Sequence, residues 1–144
     1  MKFTTKAEYG LAALADIAMQ SERGKRAVTA DIAKRQRISS KYLEQILLQL
    51  RRSNLIHASK GKNGGYYLSR AASGIKIADV LNALDSSILA DASETDSDDG
   101  IRMNLKVCLW DKINRNMREY TDNLTLAELL EQCDDFEANG TYSI

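Results

Sequence analysis

The chain has 144 residues and a mass of 16.0 kDa, and 44% of its residues are apolar, which suits one modest globular domain with an appendage. It holds no apolar run near the roughly 18 residues that spanning a membrane requires, and its first residues lack the continuous apolar stretch of a secretory signal, so we expect a cytoplasmic protein without a membrane segment. Cys108 and Cys133 are too few and too far apart for a disulfide framework or a paired zinc site, and we predict no metal site.

A net charge of zero conceals an asymmetry along the chain. Residues 1–70 hold 14 Lys+Arg and 5 Asp+Glu, a net charge of +9, whereas residues 71–144 hold 6 and 15, a net charge of −9. This asymmetry suggests that the first half faces a polyanion and that the second half serves another purpose. The alternative is that the two halves only attract each other, and the charge count alone does not decide between these interpretations.

The first two helices are predicted from capping residues and from the helical spacing of apolar residues. Thr5 with Glu8 has the spacing of a capping box and predicts a helix at about 5–20. After a polar connection, Thr29 can cap a short helix at 30–36.

A third helix and a hairpin complete the basic half. Ser39 or Ser40 caps this helix, and its apolar face consists of Tyr42, Leu43, Ile46, Leu47 and Leu50. Two short helices joined by a brief turn, the second with a firm apolar face, predict a helix-turn-helix. The β-prone runs 55–59 and 66–69 flank a glycine-rich segment, which predicts a hairpin. A basic hairpin directly after a helix-turn-helix is a winged helix.

The acidic half is predicted to contain a linker between helices. A short amphipathic helix at 77–84 precedes an acidic, serine-rich segment without large apolar residues. We therefore predict a mainly α fold with a winged helix-turn-helix domain at 1–85, an acidic linker at 86–101, and a dimerisation helix and a C-terminal helix at 102–144. Thr125 with Glu128 has capping-box spacing at the start of the C-terminal helix.

The long helix at about 102–121 carries more apolar surface than one core can cover. Its apolar residues span about 200°, whereas packing on a single core needs a stripe of about 100°. The surplus predicts a second packing surface, which the same helix of another copy supplies most simply. The predicted dimerisation residues are Leu105, Leu109, Ile113, Met117 and Tyr120. The alternative is that the C-terminal helix folds back over the excess.

The second helix of a helix-turn-helix enters the major groove, and its first turns contact base edges. The predicted base-reading residues are Ser39, Ser40, Lys41, Glu44 and Gln45. Gln45 can form two hydrogen bonds with adenine, Glu44 can accept one from cytosine N4, and Lys41 can reach guanine or phosphate. The alternative for Glu44 is a solvated side chain with an i, i+4 contact.

Other residues of the basic half are predicted to contact the DNA backbone. They are Lys34, Arg35, Arg37, Arg51, Arg52, Lys60, Gly61, Lys62, Asn63 and Gly64. Such cations position a protein on DNA without reading sequence, and glycines in a wing let its backbone approach phosphate or the minor groove. Any one cation taken alone is more often an ordinary solvated charge, but 14 within 70 residues favour the collective role.

Several runs of the sequence are found together in one protein family. They are FTTKAEYGLAALADIA, ISSKYLEQILLQLRRSNLI, KGKNGGYYL, and LWDKINRN with NLTLAELL. In this order and spacing they resemble the Rrf family of bacterial winged-helix transcription regulators over nearly the whole chain. The resemblance implies a homodimer built on the long helix that binds a palindromic operator, usually as a repressor. It also implies base contacts by Glu44 and Gln45, with Lys60 in place of a wing arginine.

The chain departs from the cluster-binding members of that family. Those members carry three closely spaced cysteines in the segment that here reads DASETDSDDGIRMNLKV, and this segment has none. Carboxylates do not replace thiolates in iron–sulfur ligation, so the resemblance implies no cluster and a place near the CymR-like branch. We expect no cofactor.

Two alternatives to this function stay open from the sequence. The first is a redox-sensing regulator of the same fold, because Cys108 has cations at i+4 and i+7 that favour a thiolate. A small residue that fills a contact is nevertheless commoner at such a position. The other is a winged-helix module that contacts a protein rather than DNA.

Trp110 is predicted to join the long helix to the basic domain as core. Since no nucleophile, base and orienting group cluster, we predict neither an enzyme nor catalytic residues, and the sequence does not identify a regulatory protein or small-molecule effector.

Overall fold

A computed structural model describes residues 3–61, 64–90 and 100–139. Its elements are α1 (Thr5–Glu22), α2 (Thr29–Gln36), α3 (Ser40–Arg52), β1 (Ile56–Ser59), β2 (Gly65–Leu68), a 3-10 turn (Ala72–Gly74), α4 (Ile77–Leu84), α5 (Ile101–Leu105), a π-helical turn (Lys106–Trp110), α6 (Asp111–Asp122) and α7 (Leu126–Ala138). The mainly α winged helix-turn-helix is confirmed. The predicted wing residues Lys62 and Asn63 and residues 91–99 of the predicted linker lie outside the described residues.

Two of the predicted helix caps are wrong. Thr4 caps α1, because its backbone is extended and its hydroxyl accepts a hydrogen bond from the Ala7 N–H at 3.2 Å, whereas Thr5 is already helical. Val28 is the N-cap of α2 and makes no side-chain cap, since Thr29 is already the first helical residue. A short polar residue near a helix start thus predicts the helix correctly and its first residue only to within about one position.

The other two predicted caps are confirmed. The Ser39 hydroxyl accepts a hydrogen bond from the Tyr42 N–H at 3.2 Å, so Ser39 rather than Ser40 caps α3. The Thr125 hydroxyl accepts one from the Glu128 N–H at 3.1 Å at the start of α7.

The hydrophobic core joins the helix-turn-helix, the wing and α4. The predicted apolar face of α3 is buried at Leu43, Ile46, Leu47 and Leu50, and Tyr42 is partly buried. Helix α1 packs directly on α4, because a Cβ at Gly10 would overlap the Leu84 side chain. Close packing of this kind fixes the angle between two helices, so α1 and α4 form a rigid frame behind α3.

The wing is anchored to the connection between α1 and α2. Strands β1 and β2 pair antiparallel, and Ala27 adds an isolated bridge by exchanging hydrogen bonds with Tyr66 at 2.9 and 2.8 Å. A Cβ at Gly65 would lie 2.8 Å from the Ala27 carbonyl oxygen, so this contact requires glycine. The Leu68 N–H donates to the Ser21 hydroxyl at 3.2 Å. The sequence did not predict this third strand contact.

The long helix predicted at 102–121 runs from residue 101 to 122, as α5, the π-helical turn and α6 in succession. A π-helical turn inserts one residue into the α-helical ladder. One residue corresponds to about 100° of rotation, so side chains before and after the turn do not continue one line at i, i+4 spacing. The straight stripe from Leu105 through Leu109 to Ile113 is therefore interrupted.

Trp110 is 50% exposed, so the prediction that it joins the long helix to the basic domain is wrong. The long helix contacts the rest of the protein near its C-terminal end, where Thr121 is its buried residue, so Trp110 lies away from this contact. The long helix is joined to the basic domain instead by α6, which packs on α4. Arg118 Nε and Nη2 also donate hydrogen bonds to the Leu89 carbonyl oxygen at 2.9 and 2.7 Å. Leu89 is buried in the core and Ile88 packs against it, so the predicted linker contacts the core at these two residues.

Candidate nucleic-acid interface

The first turns of α3 present a group of exposed polar side chains, which we call the reading face. It consists of Ser39, Ser40, Lys41, Glu44 and Gln45, all of them exposed. Lys41, Glu44 and Gln45 stand at i, i+3 and i+4 and therefore share one side of the helix. The opposite side is held in the core, so the reading face is rigidly presented. The five predicted base-reading residues are thus brought together at one end of one helix.

Cations flank the reading face at both ends of the helix-turn-helix. Lys34 and Arg37 lie at the end of α2, Arg51 and Arg52 lie at the end of α3, and all four are exposed. Arg37 has a left-handed backbone with φ 55° and ψ 46°, and its N–H donates to the Ala33 carbonyl oxygen. This conformation ends α2 and turns the chain toward α3. The arrangement can hold phosphates on either side of a helix that lies in a groove.

Arg35 differs from the other predicted backbone contacts, because Asp16 holds its guanidinium group. Arg35 Nε and Nη2 donate to the two carboxylate oxygens of Asp16 at 2.8 and 2.7 Å, and Gln36 Nε2 donates to the same carboxylate at 2.9 Å. Arg35 thus has a structural role, and only the guanidinium N–H groups that Asp16 does not bind can reach a phosphate. Sequence reasoning missed this contact, although a carboxylate between the apolar residues Ala13 and Ile17 of α1 signals a buried partner.

The Asp16 carboxylate is only 4% exposed. Burial by itself raises the pKa of Asp16, but the hydrogen bonds from Arg35 and Gln36 and the charge of Arg35 outweigh burial and lower the pKa below its ordinary value. The hydrogen bond to Asp16 is the main reason why the pKa of Arg35 is raised. Asp16 is therefore ionised at neutral pH and fully used inside the fold.

The tip of the wing is shaped by glycine. Gly61 has φ +113°, and the Gly64 N–H donates to the Gly61 carbonyl oxygen at 2.9 Å, which closes the turn. A Cβ at Gly64 would lie 2.9 Å from the Ser59 carbonyl oxygen. Lys60 and Gly61 are exposed at this tip. Without side chains at its glycines, the backbone can approach a nucleic acid closely.

The predicted dimerisation residues lie on a surface that the described chain leaves open. Leu105 and Leu109 are each 42% exposed, Tyr120 is 66% exposed, and Ile113 and Met117 are half-buried. The alternative in which the C-terminal helix covers the excess holds only in part, because Leu129 of α7 lies beside Ile113 and Met117, whereas Trp110 and Tyr120 stay exposed.

An apolar groove of about 650 Å³ runs along α6 between α1 and α4. Its lining includes Phe3, Leu11, Leu81, Ile113, Met117 and Tyr120. We call it the α6 groove. Three of the five predicted dimerisation residues belong to it, and large exposed apolar surfaces of this kind mark interaction sites.

The family model that matches residues 3–132 is Rrf2, described as an iron-dependent transcriptional regulator. The chain belongs to the Rrf2 family. The resemblance predicted from the sequence is confirmed, and members of this family are DNA-binding transcription regulators with a winged helix rather than enzymes.

Individual relatives agree with this assignment. The HTH-type transcriptional regulator IscR of Klebsiella pneumoniae is 34% identical over 143 residues, which cover 97% of this chain and 86% of the relative. The structure of T. potens IscR has a TM-score of 0.75 at 29% identity and covers 92% of this chain and 88% of that one. CymR, the global cysteine regulator of B. subtilis, has a TM-score of 0.76 at 25% identity and covers 92% and 98%.

The family description names iron, but this chain has few side chains that could bind an iron–sulfur cluster. The whole sequence holds two cysteines, and both are exposed, Cys108 in the π-helical turn and Cys133 in α7. No group of three His, Cys, Asp or Glu side chains in the described ranges is placed to hold a metal ion. Iron–sulfur clusters are held mostly by four thiolates, so this donor set does not fit such a cluster.

No helix among residues 3–61, 64–90 and 100–139 combines the length and apolar character needed to cross a membrane.

Proposed function

We propose that this protein is a cytoplasmic transcription repressor that binds a palindromic operator as a homodimer and carries no iron–sulfur cluster. The observation that carries this proposal is the reading face, a set of exposed polar side chains on a helix whose other side is fixed in the core of a winged helix. Residues 1–85 bind DNA, and residues 102–144 hold the dimerisation helix, which forms the dimer contact, and the C-terminal helix. The reading face contacts base edges, and the flanking cations and the wing contact phosphates.

The α6 groove and the exposed residues of the long helix support the homodimer. A second copy of the same helix offers an apolar surface of matching character, and two-fold symmetry lets each surface cover the other. Dimerisation places two reading faces at a fixed separation. A palindromic operator with half-sites one helical turn apart, or a multiple of it, then follows from geometry.

The donor set supports the cluster-free form. With two cysteines in the chain, the thiolates that hold a cluster in other members are missing here, and the likeness to CymR agrees with a regulator of another kind. The expected result of anaerobic iron reconstitution is a protein that gains no absorption band of an iron–sulfur cluster. Stoichiometric uptake of iron and sulfide would contradict this part of the proposal.

The decisive experiment selects bound duplexes from random-sequence DNA and then measures fluorescence anisotropy with the selected operator and with a random duplex. We expect a palindromic consensus, much tighter binding to it than to random DNA, and affinity that falls steeply as salt rises, because phosphate contacts release counterions. Binding to the duplexes that does not change with salt would instead favour the winged-helix module that contacts a protein, since a mostly apolar interface responds little to salt.

The exposure of Cys108 keeps the redox-sensing regulator as a second candidate. It is tested by treating the free protein with peroxide and measuring operator affinity. A response that the parent shows and Cys108→Ser lacks would support this candidate, because the thiol is then the group that is oxidised. Equal behaviour of the two proteins would remove it.

A further inference from the structure

Helix α1 contacts both sides of the turn that leads into the reading face. Asp16 holds the end of α2 through Arg35 and Gln36. Tyr9 packs edge-on against Tyr42, in the first turn of α3, with ring centroids 6.1 Å apart and 79° between the ring planes. The turn at 37–39 lies between these two contacts in the chain.

The two contacts lie on the same side of α1. Tyr9 and Asp16 are seven residues apart, which corresponds to two turns of helix and to about 10 Å along its axis. One stiff helix therefore spans the turn and holds it at both ends. A bidentate guanidinium–carboxylate pair fixes orientation as well as distance, because both hydrogen bonds of the planar fork must be satisfied together.

Helix α2 depends on this support. It has eight residues, no side-chain cap at its start, and Ile32 as its fully buried residue. Isolated helices of this length are marginal in water, so tertiary contacts hold them in place. The left-handed Arg37 follows directly after the two residues that Asp16 binds, so a shift of the end of α2 is passed on to the start of α3.

We propose that Asp16 is a positioning residue for DNA recognition, which acts with Tyr9 to hold the reading face at the angle that base contacts require. This inference rests on the proposed function. Asp16 is buried and touches no base; it acts through Arg35, Gln36 and the turn. Base recognition is sensitive to such positioning because a bidentate hydrogen bond to a base edge tolerates little misalignment, whereas a phosphate contact tolerates more.

The test compares specificity with stability in the full-length protein. Asp16→Asn keeps the size of the side chain and removes its charge. Leu130→Ala is the matched control, because Leu130 is buried in α7, which packs on the 3-10 turn rather than on the reading face. Affinities for operator and random duplex are measured at a temperature well below the melting temperature of every variant.

We expect Asp16→Asn to lower the ratio of operator affinity to random-duplex affinity about tenfold, the loss that one displaced base contact produces. The affinity for the random duplex itself should change little. Leu130→Ala should lower the melting temperature and leave the ratio unchanged. A lower melting temperature with an unchanged ratio for Asp16→Asn would overturn the inference, because Asp16 would then only stabilise the fold.

Arg35→Lys gives a second, independent measurement if Asp16→Asn does not fold. It keeps the positive charge at an exposed position, so the salt dependence of binding should stay the same, but a lysine cannot form the bidentate pair. The ratio should again fall. An unchanged ratio for Arg35→Lys would overturn the inference, whereas a parent protein that fails to distinguish operator from random duplex would overturn the proposed function itself.

Discussion

Single side chains of the basic half differ in what they can recognise. Gln45 offers both a donor and an acceptor, which match the edge of an adenine, whereas a lysine is a point charge that any phosphate satisfies. In the proposed complex phosphates repel Glu44, so its position on the reading face favours a contact with a base that donates a hydrogen bond. Chemistry of this kind separates residues that specify a sequence from residues that only increase affinity.

Gln45→Ala should lower discrimination at one base position by about 1–3 kcal/mol, because the bidentate contact to that base is lost. The measurement is anisotropy with a set of operators that differ at single base pairs. Lys60→Ala is the matched control and should weaken all duplexes about equally. Equal losses of Gln45→Ala on operator and on random DNA would show that Gln45 does not read a base.

The ion pair of Asp16 predicts a pH dependence of stability. Because the folded protein lowers the pKa of Asp16 below its unfolded value, its contribution is present above the unfolded pKa and is lost as pH falls through the folded pKa. Asp16→Asn should cost about 1–3 kcal/mol in the free energy of unfolding at pH 7. Urea unfolding between about pH 6 and pH 2 measures the difference between parent and variant, which should shrink as Asp16 is protonated. A difference that stays constant would contradict the assignment.

Whole elements show which features local sequence determines. The helices and the wing were predicted because apolar periodicity and glycine in turns act over a few residues. The bridge of Ala27 to Tyr66 and the packing of Leu89 depend on segments far apart in the chain, and no local pattern contains them. The reading face was predicted for the same reason as α3, whereas the support by Asp16 requires knowing which helix lies behind α2.

The long helix illustrates the same limit. Its 200° apolar arc, measured at about 100° per residue, was visible in the sequence, but the arc does not say which part faces the protein's own core. The structure places the contact at the end of α6, so Trp110 is left exposed. The π-helical turn is likewise a property of the folded helix, since KVCLW contains no residue that breaks an α-helical pattern.

The cap of α3 gives a prediction at the scale of an element. Ser39→Ala should lower the free energy of unfolding by about 1 kcal/mol, because the Tyr42 N–H loses its acceptor. Ser40→Ala is the control next to it and should change stability by less than about 0.5 kcal/mol, as exposed positions without such a contact do. Equal losses in urea unfolding for the two variants would show that Ser39 is not the cap.

At the scale of the whole molecule, the opposite charges of the two halves become a division of tasks. In the proposed complex the cations that flank the reading face contact DNA, and the acidic half is repelled by the polyanion. Helix α6 packs on α4, so the position of the α6 groove sets the distance between two reading faces in the proposed dimer. Affinity for a two-part operator then depends on an apolar contact that is remote from DNA.

Tyr120→Asp tests this dependence. A charge placed in the α6 groove must be buried when a second copy binds, so we expect the dimer to weaken by about 100-fold or more. Sedimentation velocity at micromolar concentration should show a monomer, and affinity for the full palindrome should fall toward that for a single half-site. Met19→Ser is the control, because Met19 is an exposed apolar residue of α1 outside the groove lining. If Tyr120→Asp stays as dimeric as the parent, the dimer contact lies elsewhere. A monomeric parent with full operator affinity would show that DNA binding does not require dimerisation.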